Sequence, residues 1–366
     1  MGAPLKLLLL EPFYGGSHRD FADGWVARSR HTIELKTLPA RFWKWRMRGA
    51  ALHFARKIPS PTGYAGLIVT DLMSLADLKA IWGPACPPAL VYFHENQLSY
   101  PLPEGESLDY QFGFTDITTG VTASRVLFNS WFQFDSFFEN LPGFIGMMPE
   151  YHPRWVVETI RKKSGVLHPG CDFPAGPSGL DPRDASSPPL IVWNHRWEFD
   201  KRPAAFFRAL DAVRARGRAF RLVLLGENFQ VVPKEFIAAR DRYGDRIEQY
   251  GFVEDRPAYV EWLRRGAIVI STAEQENFGM SIVEAVRHGC RPLLPRRLSY
   301  PEVLDGAFHA DCLYDTDDDL VERLDALLAD PTLIDGPRAR LAASMECYSW
   351  DRQIAAFDDE LAQLAR

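Results

Sequence analysis

Apolar residues along the chain fall into short continuous runs separated by stretches of helical period. In the first half the runs lie at 5–10, 66–70, 89–93 and 125–128. In the second they lie at 190–193, 220–225, 267–271 and 292–294, and a further strand is expected at 247–250. They are rich in Leu, Val and Ile and bounded by Gly, Pro, Asn or Asp, which reads as strands buried on both faces, as in parallel sheets covered by helices. Helical spacing follows at 17 onward, where Phe21 and Trp25 share a face, and at 110–123, 131–139 and 350–366. The pattern predicts an α/β chain of two doubly wound, Rossmann-like domains, because 366 residues exceed one ordinary core. The stretch 173–189, FPAGPSGLDPRDASSPP, continues neither helix nor central strand and is expected to link domains at 1–172 and 190–347, with 348–366 as a C-terminal helix.

The most informative stretch is 267–292, AIVISTAEQENFGMSIVEAVRHGCRP. A buried strand leads into a polar loop at 273–278, and Gly279 opens a helix whose apolar positions are Ile282, Val283 and Val286. Gly289 stands where a helix C-terminal glycine belongs. A strand, a glycine loop and a helix N-terminus make an anion site, since unpaired N–H groups and the helix dipole face the ligand. Glu276 and Glu284, with seven residues between them, would repel a phosphate and are expected to hold hydroxyls around it. A diphosphate between two polyols, a sugar nucleotide, has that combination. On spacing alone an ordinary βα unit explains the stretch equally well. A retaining glycosidase pair fits poorly: eight positions on one helix span about 12 Å, and such a pair needs about 5 Å.

Candidate chemistry elsewhere sits at strand ends, where open α/β sheets bind ligands. Gly15 and Gly16 follow the first strand and permit close backbone approach, and Ser17 with Asp20 forms a capping-box pattern. His94 follows the 89–93 strand, with Glu95, Asn96 and Gln97 adding hydrogen-bonding groups. Arg196 and Lys201, five residues apart after the 190–193 strand, suit a diphosphate clamp, or alternatively helix-entry ion pairs with Glu198 or Asp200. The segment 41–57, RFWKWRMRGAALHFARK, is the oddest in composition. As a helix it places Trp43, Met47, Ala50 and Phe54 on one stripe, with Arg41, Lys44 and Arg48 opposite and Trp45 beside them. Composition alone favours a solvated basic face; exposed cations beside an aromatic also suit phosphates and unstacked bases, or an anionic membrane.

Composition narrows the partners. Hydrophobic residues at 46% and charged residues at 25% are those of a globular chain, and no apolar run reaches 18 residues. Leu5–Leu10 lacks a basic flank and a cleavage-like site, so a strand is expected there rather than a signal peptide. Five scattered cysteines lack zinc-ligand spacing and fit a reducing cytoplasm. Net charge is −6, unevenly spread: residues 1–168 carry 17 Lys and Arg against 15 Asp and Glu, the remainder 25 against 33. A polyanion should therefore prefer the first half.

ENFGMSIVE resembles the E-x7-E signature of retaining family-4 glycosyltransferases. The resemblance spans nearly the whole chain and is strongest over 190–305. EPFYGGSH, LPARFWKWRMRGAALHFA, YFHENQLSYP and FNSWFQFDSF are similar to the subfamily of glycosyltransferase-like proteins that includes the queuosine-tRNA mannosyltransferase. It implies the GT-B fold, two domains facing across a cleft, with the C-terminal helix returning to the first. By it, Glu276 contacts the transferred sugar together with His94, Glu284 contacts the ribose, and the backbone of Asn277, Phe278, Gly279 and Met280 meets sugar and phosphates. Arg196 and Lys201 clamp the diphosphate, and Glu227, Phe252 and Val253, in LLGENF and YGFVED, flank the base, with Gly15 and Gly16 also on the donor side. VLHPGCD (166–172) resembles the exit from the first domain. The acceptor is expected at Ser17, His18, Arg41, Trp43, Lys44, Trp45, Arg46, Arg48, Glu95 and Asn96. The implied reaction is metal-independent transfer of mannose from GDP-mannose to the cyclopentenediol of queuosine in the anticodon of aspartate tRNA, in the cytoplasm, without cofactor and without stable membrane association. Two other readings stay open: a nucleotide-sugar transferase acting on a lipid or glycan at a membrane, and a silent RNA-binding module on the same scaffold.

Overall fold

The computed structural model describes residues 3–102, 105–173, 180, 183, 186–227 and 232–365. The linker expected at 173–189 lies largely outside them, as do Asn228 and Phe229 of LLGENF. The chain divides into two compact units: Met1–Asp172 with Tyr348–Arg366, and Phe173–Cys347.

In the first unit, β1 (Lys6–Tyr14), β2 (Thr32–Pro39), β3 (Gly66–Thr70), β4 (Ala89–Phe93), β5 (Arg125–Phe128) and β6 (Ser164–Val166) make one sheet. Its order is β2-β1-β3-β4-β5-β6, with every pairing parallel. The continuous apolar runs follow from burial on both faces. Leu8, Leu10, Val69 and Val91 pack on one side with Phe54, Ile117 and Phe137 from the covering helices. Leu7, Leu9, Ile68 and Tyr92 pack on the other with Phe21, Trp25 and, from the C-terminal helix Trp350–Leu364, Trp350 and Phe357. Trp350 fits because two glycines make room: a Cβ on Gly24 would lie 1.9 Å from its indole nitrogen, and one on Gly170 would lie 2.1 Å from its ring.

In the second unit, β7 (Leu190–Trp193), β8 (Arg221–Leu224), β9 (Ile247–Tyr250), β10 (Ile268–Ile270), β11 (Arg291–Pro295) and β12 (Leu313–Tyr314) form a second parallel sheet, ordered β12-β11-β10-β7-β8-β9. Its core gathers Ile191, Trp193, Leu222, Leu224, Ile268 and Ile270 with Phe206, Phe236 and Leu324.

Both orders reverse direction once. In the first sheet the switch lies between β1 and β3, in the second between β7 and β10. Neighbouring crossovers leave opposite faces there, so a crevice opens at the carboxyl ends of the two strands. Every polar cluster described below follows one of these strands or β4, the neighbour of β3.

Three expectations are corrected. The helix Gly16–Arg28 has no side-chain cap, so Ser17 and Asp20 do not form a capping box. Its N-cap is Gly15, in extended conformation, where a Cβ would lie 2.5 Å from the Cβ of Ala40. The basic helix runs Trp43–Lys57 behind Phe42 at φ 57°, which leaves Arg41 outside it. The helix expected at 131–139 continues to Gly146 through Pro142, because Leu141, Phe144 and Ile145 are buried in the core beyond it.

Candidate functional site

In the second unit β7 delivers Asn194, His195 and Arg196, and β10 delivers the loop carrying Glu276. Lys201 ends a short 3-10 turn, Phe199–Lys201, and is buried. Its Nζ lies 3.2 Å from Asp200 Oδ2 and 3.4 Å from Glu276 Oε2, and donates to the Gln275 carbonyl at 2.5 Å. Thr272 pins the turn by donating to the carbonyls of Lys201 (2.7 Å) and Arg202 (3.0 Å). Burial alone would lower the Lys201 pKa; Glu276 and Asp200 outweigh it and raise it, so the ammonium stays charged. Arg196 pairs with Glu198 at 3.1 Å. Both cations make the local ion pairs, and Lys201 also reaches Glu276.

His195, which the sequence did not single out, stands between these charges. Its Nδ1 is 3.9 Å from Glu276 Oε2. Burial, then Lys201 and Arg196, pushes its pKa down to about 3, so the ring is neutral. Its Nε2 is buried without a partner among the described residues.

Gly279 takes φ 94°, a left-handed conformation that glycine adopts without strain, and caps the helix Met280–Arg287. Ile282 and Val283 donate to the Gly279 carbonyl, which leaves the N–H groups of Met280 and Ser281 with no intrahelical acceptor. Ser299 supports the loop by donating to the Phe278 carbonyl at 3.0 Å. Glu276 and Asn277 are half-buried and Phe278 is buried. Glu284 is buried and held by two groups that the sequence did not reveal: the Arg256 guanidinium, and the Tyr259 hydroxyl at 3.2 Å. Its charge is thereby compensated. Glu227 accepts from the Trp197 N–H through its carbonyl at 3.1 Å. Phe252 is exposed and Val253 half-buried.

In the first unit a second cluster gathers at the carboxyl ends of β1, β3 and β4. Glu11, fully buried, receives the Phe13 N–H at 2.8 Å and faces His18 Nδ1 at 3.3 Å. The His18 and His94 rings lie 4.1 Å apart. Asp71, following β3, accepts the N–H groups of His94 (3.1 Å) and Glu95 (3.3 Å). Asp116 accepts from the Gln97 N–H at 2.7 Å. Burial pushes His18 down, but Glu11, then Asp71 and Glu95, outweigh it and lift its pKa to about 9. Burial and the His18 charge hold His94 well below its ordinary value, so the pair divides into one imidazolium and one neutral imidazole. Burial raises Asp71 to about 7, against the pull of His18, and raises Asp116 well above the carboxylate range. Glu11, His18 and His94 offer metal-ligand atoms within 4.8 Å of one another. A metal there would have to displace the proton that Glu11 holds on His18.

On the basic helix, Met47, Ala50 and Phe54 are buried and Trp43 packs on Phe112 at 5.0 Å between ring centroids. Trp45 is 77% exposed. Lys44 lies 3.5 Å from Glu106, Arg48 donates to Gln111 at 2.6 Å and Arg46 to the Pro39 carbonyl at 3.3 Å, so these three are tethered to the first unit. Arg41 and Ser17 are exposed. Gly16 adopts φ 50° with open space around it. No helix among the described residues is long and apolar enough to cross a membrane.

Solved structures share this architecture. Sucrose-phosphate synthase from Thermosynechococcus elongatus superposes with TM-score 0.76 at 13% identity, covering 98% of this chain and 99% of that one. Anabaena HepE in complex with UDP and glucose superposes with TM-score 0.66 at 15% identity, covering 98% of each. The fold is that of the GT-B glycosyltransferases. Residues 188–330 match the family described as glycosyl transferases group 1, and residues 6–171 match the family described as tRNA-queuosine alpha-mannosyltransferase N-terminal. The tRNA-queuosine alpha-mannosyltransferase of Drosophila melanogaster is 36% identical over 327 residues, 87% of this chain and 85% of that protein. The chain belongs to the tRNA-queuosine alpha-mannosyltransferase family and is a glycosyltransferase.

Proposed function

We propose that the protein transfers mannose from GDP-mannose, with retention, to the cyclopentenediol of queuosine in the anticodon of aspartate tRNA, in the cytoplasm and without a metal. The observation that carries this reading is the Lys201–Glu276 contact at 3.4 Å beside a helix N-terminus without a side-chain cap at the β7–β10 switch point, in a chain 36% identical to a tRNA-queuosine alpha-mannosyltransferase. The second unit holds the donor. Lys201, Arg196 and the N–H groups of Met280 and Ser281 face the diphosphate, whose charge grows as the glycosidic bond breaks. Groups already fixed in place stabilise that charge without reorganising. Glu284 takes the ribose hydroxyls and Glu276 orients the sugar, while in the first unit His94 offers a neutral ring at the carboxyl end of β4. Glu227, Phe252 and Val253 border the base. The acceptor hydroxyl attacks on the face the diphosphate leaves, and the departing phosphate oxygen takes its proton. The acceptor tRNA is bound by the first unit, through the exposed Trp45 and the Arg41–Arg48 cations.

The test is incorporation of labelled mannose from GDP-mannose, in EDTA, into queuosine-containing tRNA and into lipid vesicles in parallel. Label in tRNA alone is expected. Label in lipid alone would establish the membrane reading, and label in neither, with tRNA still bound, the silent RNA-binding one.

A further inference from the structure

The acidic cluster of the first unit carries one feature that binding a neutral diol does not require. Three carboxyl groups, on Glu11, Asp71 and Glu95, act on a single imidazolium, His18, with Glu11 in contact at 3.3 Å. Glu11 and Asp71 are buried and committed: Glu11 to His18 and the Phe13 N–H, Asp71 to two backbone N–H groups. Glu95 is different. It is half-buried, its Oε1 is steered by the Gln97 amide at 3.0 Å, and its Oε2 has no partner among the described residues. Gln97 is itself fixed through its N–H on buried Asp116, so the carboxylate is steered by a side chain whose backbone is anchored.

The residues on either side of Glu95 in the chain carry polar atoms that lack a partner. His94 Nε2 and Asn96 Nδ2 are buried and have no hydrogen-bond partner among the described residues, although His94 is only 9% and Asn96 1% exposed. Buried polar groups of native proteins are nearly always satisfied, so orphans on the residues flanking Glu95 mark where a ligand's polar atoms belong. His18 keeps its proton despite burial because Glu11, then Asp71 and Glu95, outweigh it.

Resting on the queuosine reading above, we propose that Glu95 binds the protonated secondary amine that joins the cyclopentenediol of queuosine to its base, so that the pocket selects its acceptor by charge as well as by hydroxyls. The amine lies next to the diol ring, as Glu95 lies next to Asn96 in the chain. An unmodified guanosine has no such cation and would leave Glu95 desolvated without a counter-charge, which is how a polar site rejects the analogue lacking the matching group.

The experiment uses an anticodon stem-loop RNA carrying queuosine, before and after treatment with N-hydroxysuccinimidyl acetate, which makes its one aliphatic amine a neutral amide. With the wild-type protein, acetylation should raise KM for the RNA at least about tenfold, with kcat changed far less, the loss expected for one charge-assisted hydrogen bond. With Glu95→Gln, KM for the untreated RNA should rise by a similar factor and the gap between the two RNAs should close to about twofold or less. An unchanged KM on acetylation of the wild-type substrate overturns the proposal, whatever the variant does. A gap that persists in Glu95→Gln also overturns it, since the acetyl group then acts by bulk. Binding of GDP-mannose by the variant, measured by calorimetry, shows that it is folded. A wild-type protein that transfers mannose to neither RNA ends the functional reading itself.

Discussion

Lys201→Ala removes an ammonium that lies 3.2 Å from Asp200 and 3.4 Å from Glu276, and two losses follow. Asp200 is fully buried and Lys201 only 5% exposed, so deletion leaves a buried carboxylate with its strongest partner gone. Breaking a buried pair in this way costs about 3–5 kcal/mol. For a unit of this size that corresponds to a fall in Tm of roughly 6–20 °C. The second loss is in turnover. If the ammonium stabilises the leaving diphosphate, its removal should lower kcat by about 10²–10³-fold, as for one preorganised donor at a developing charge. Near-ultraviolet circular dichroism at 15 °C identifies the folded fraction, and mannose transfer at saturating donor and tRNA is normalised to it. Lys201→Arg keeps the charge and should recover most of the stability but only part of kcat, because a planar guanidinium does not reproduce a point charge. The deletion should also release His195, whose pKa of about 3 is held down by burial first and Lys201 second; it should rise, which NMR titration can follow. A folded Lys201→Ala protein with near-normal kcat would refute the donor-site assignment, however large the change in Tm.

Other outcomes follow from the same geometry. His18 has its folded pKa raised to about 9 from 6.5, so the stability it contributes is complete below about pH 6.5 and is lost as pH rises toward 9; chemical denaturation should show that slope, and His18→Gln should flatten it. Gly24→Ala puts a methyl group 1.9 Å from the Trp350 indole and should displace the C-terminal helix, seen as faster hydrogen exchange over residues 350–364 and a loss of about 1–3 kcal/mol. Trp45→Ala should leave Tm unchanged, since the ring is 77% exposed, yet weaken tRNA binding by about tenfold or more if a base stacks on it; an unchanged Kd would remove that helix from the RNA surface.

How far these features were readable from the chain depends on what each rests on. Strands β3, β4 and β7 begin and end where their apolar runs do, since burial on both faces leaves no polar position in their interiors, whereas β9, IEQY, is half-buried at the sheet edge. The edge strand β2 escaped because its residues, TIELKTLP, alternate weakly and half of them face water. β6 and β12, three and two residues long, are too short for any period. The helix after Gly279 was legible because its glycine, its apolar spacing and its two glutamates all lie in one stretch. What holds Glu284 was not, since Arg256 and Tyr259 lie 28 and 25 residues away and arrive only when their helix packs. The same holds for Glu11, Asp71 and His195. Glu11 reads as one acid in an apolar run, and nothing local shows that the sheet order β1-β3-β4 will set it among Asp71, His94 and Glu95. The capping box failed for a further reason: Gly15 takes the cap position because Ala40 comes too close for any side chain.

The most direct measurement is mass spectrometry of the nucleosides of purified aspartate tRNA after incubation with the protein and GDP-mannose, beside the same tRNA lacking queuosine. The account predicts a queuosine heavier by one hexose in the first sample and no new nucleoside in the second. Unmodified queuosine in the first, or a hexose on any nucleoside of the second, would contradict it.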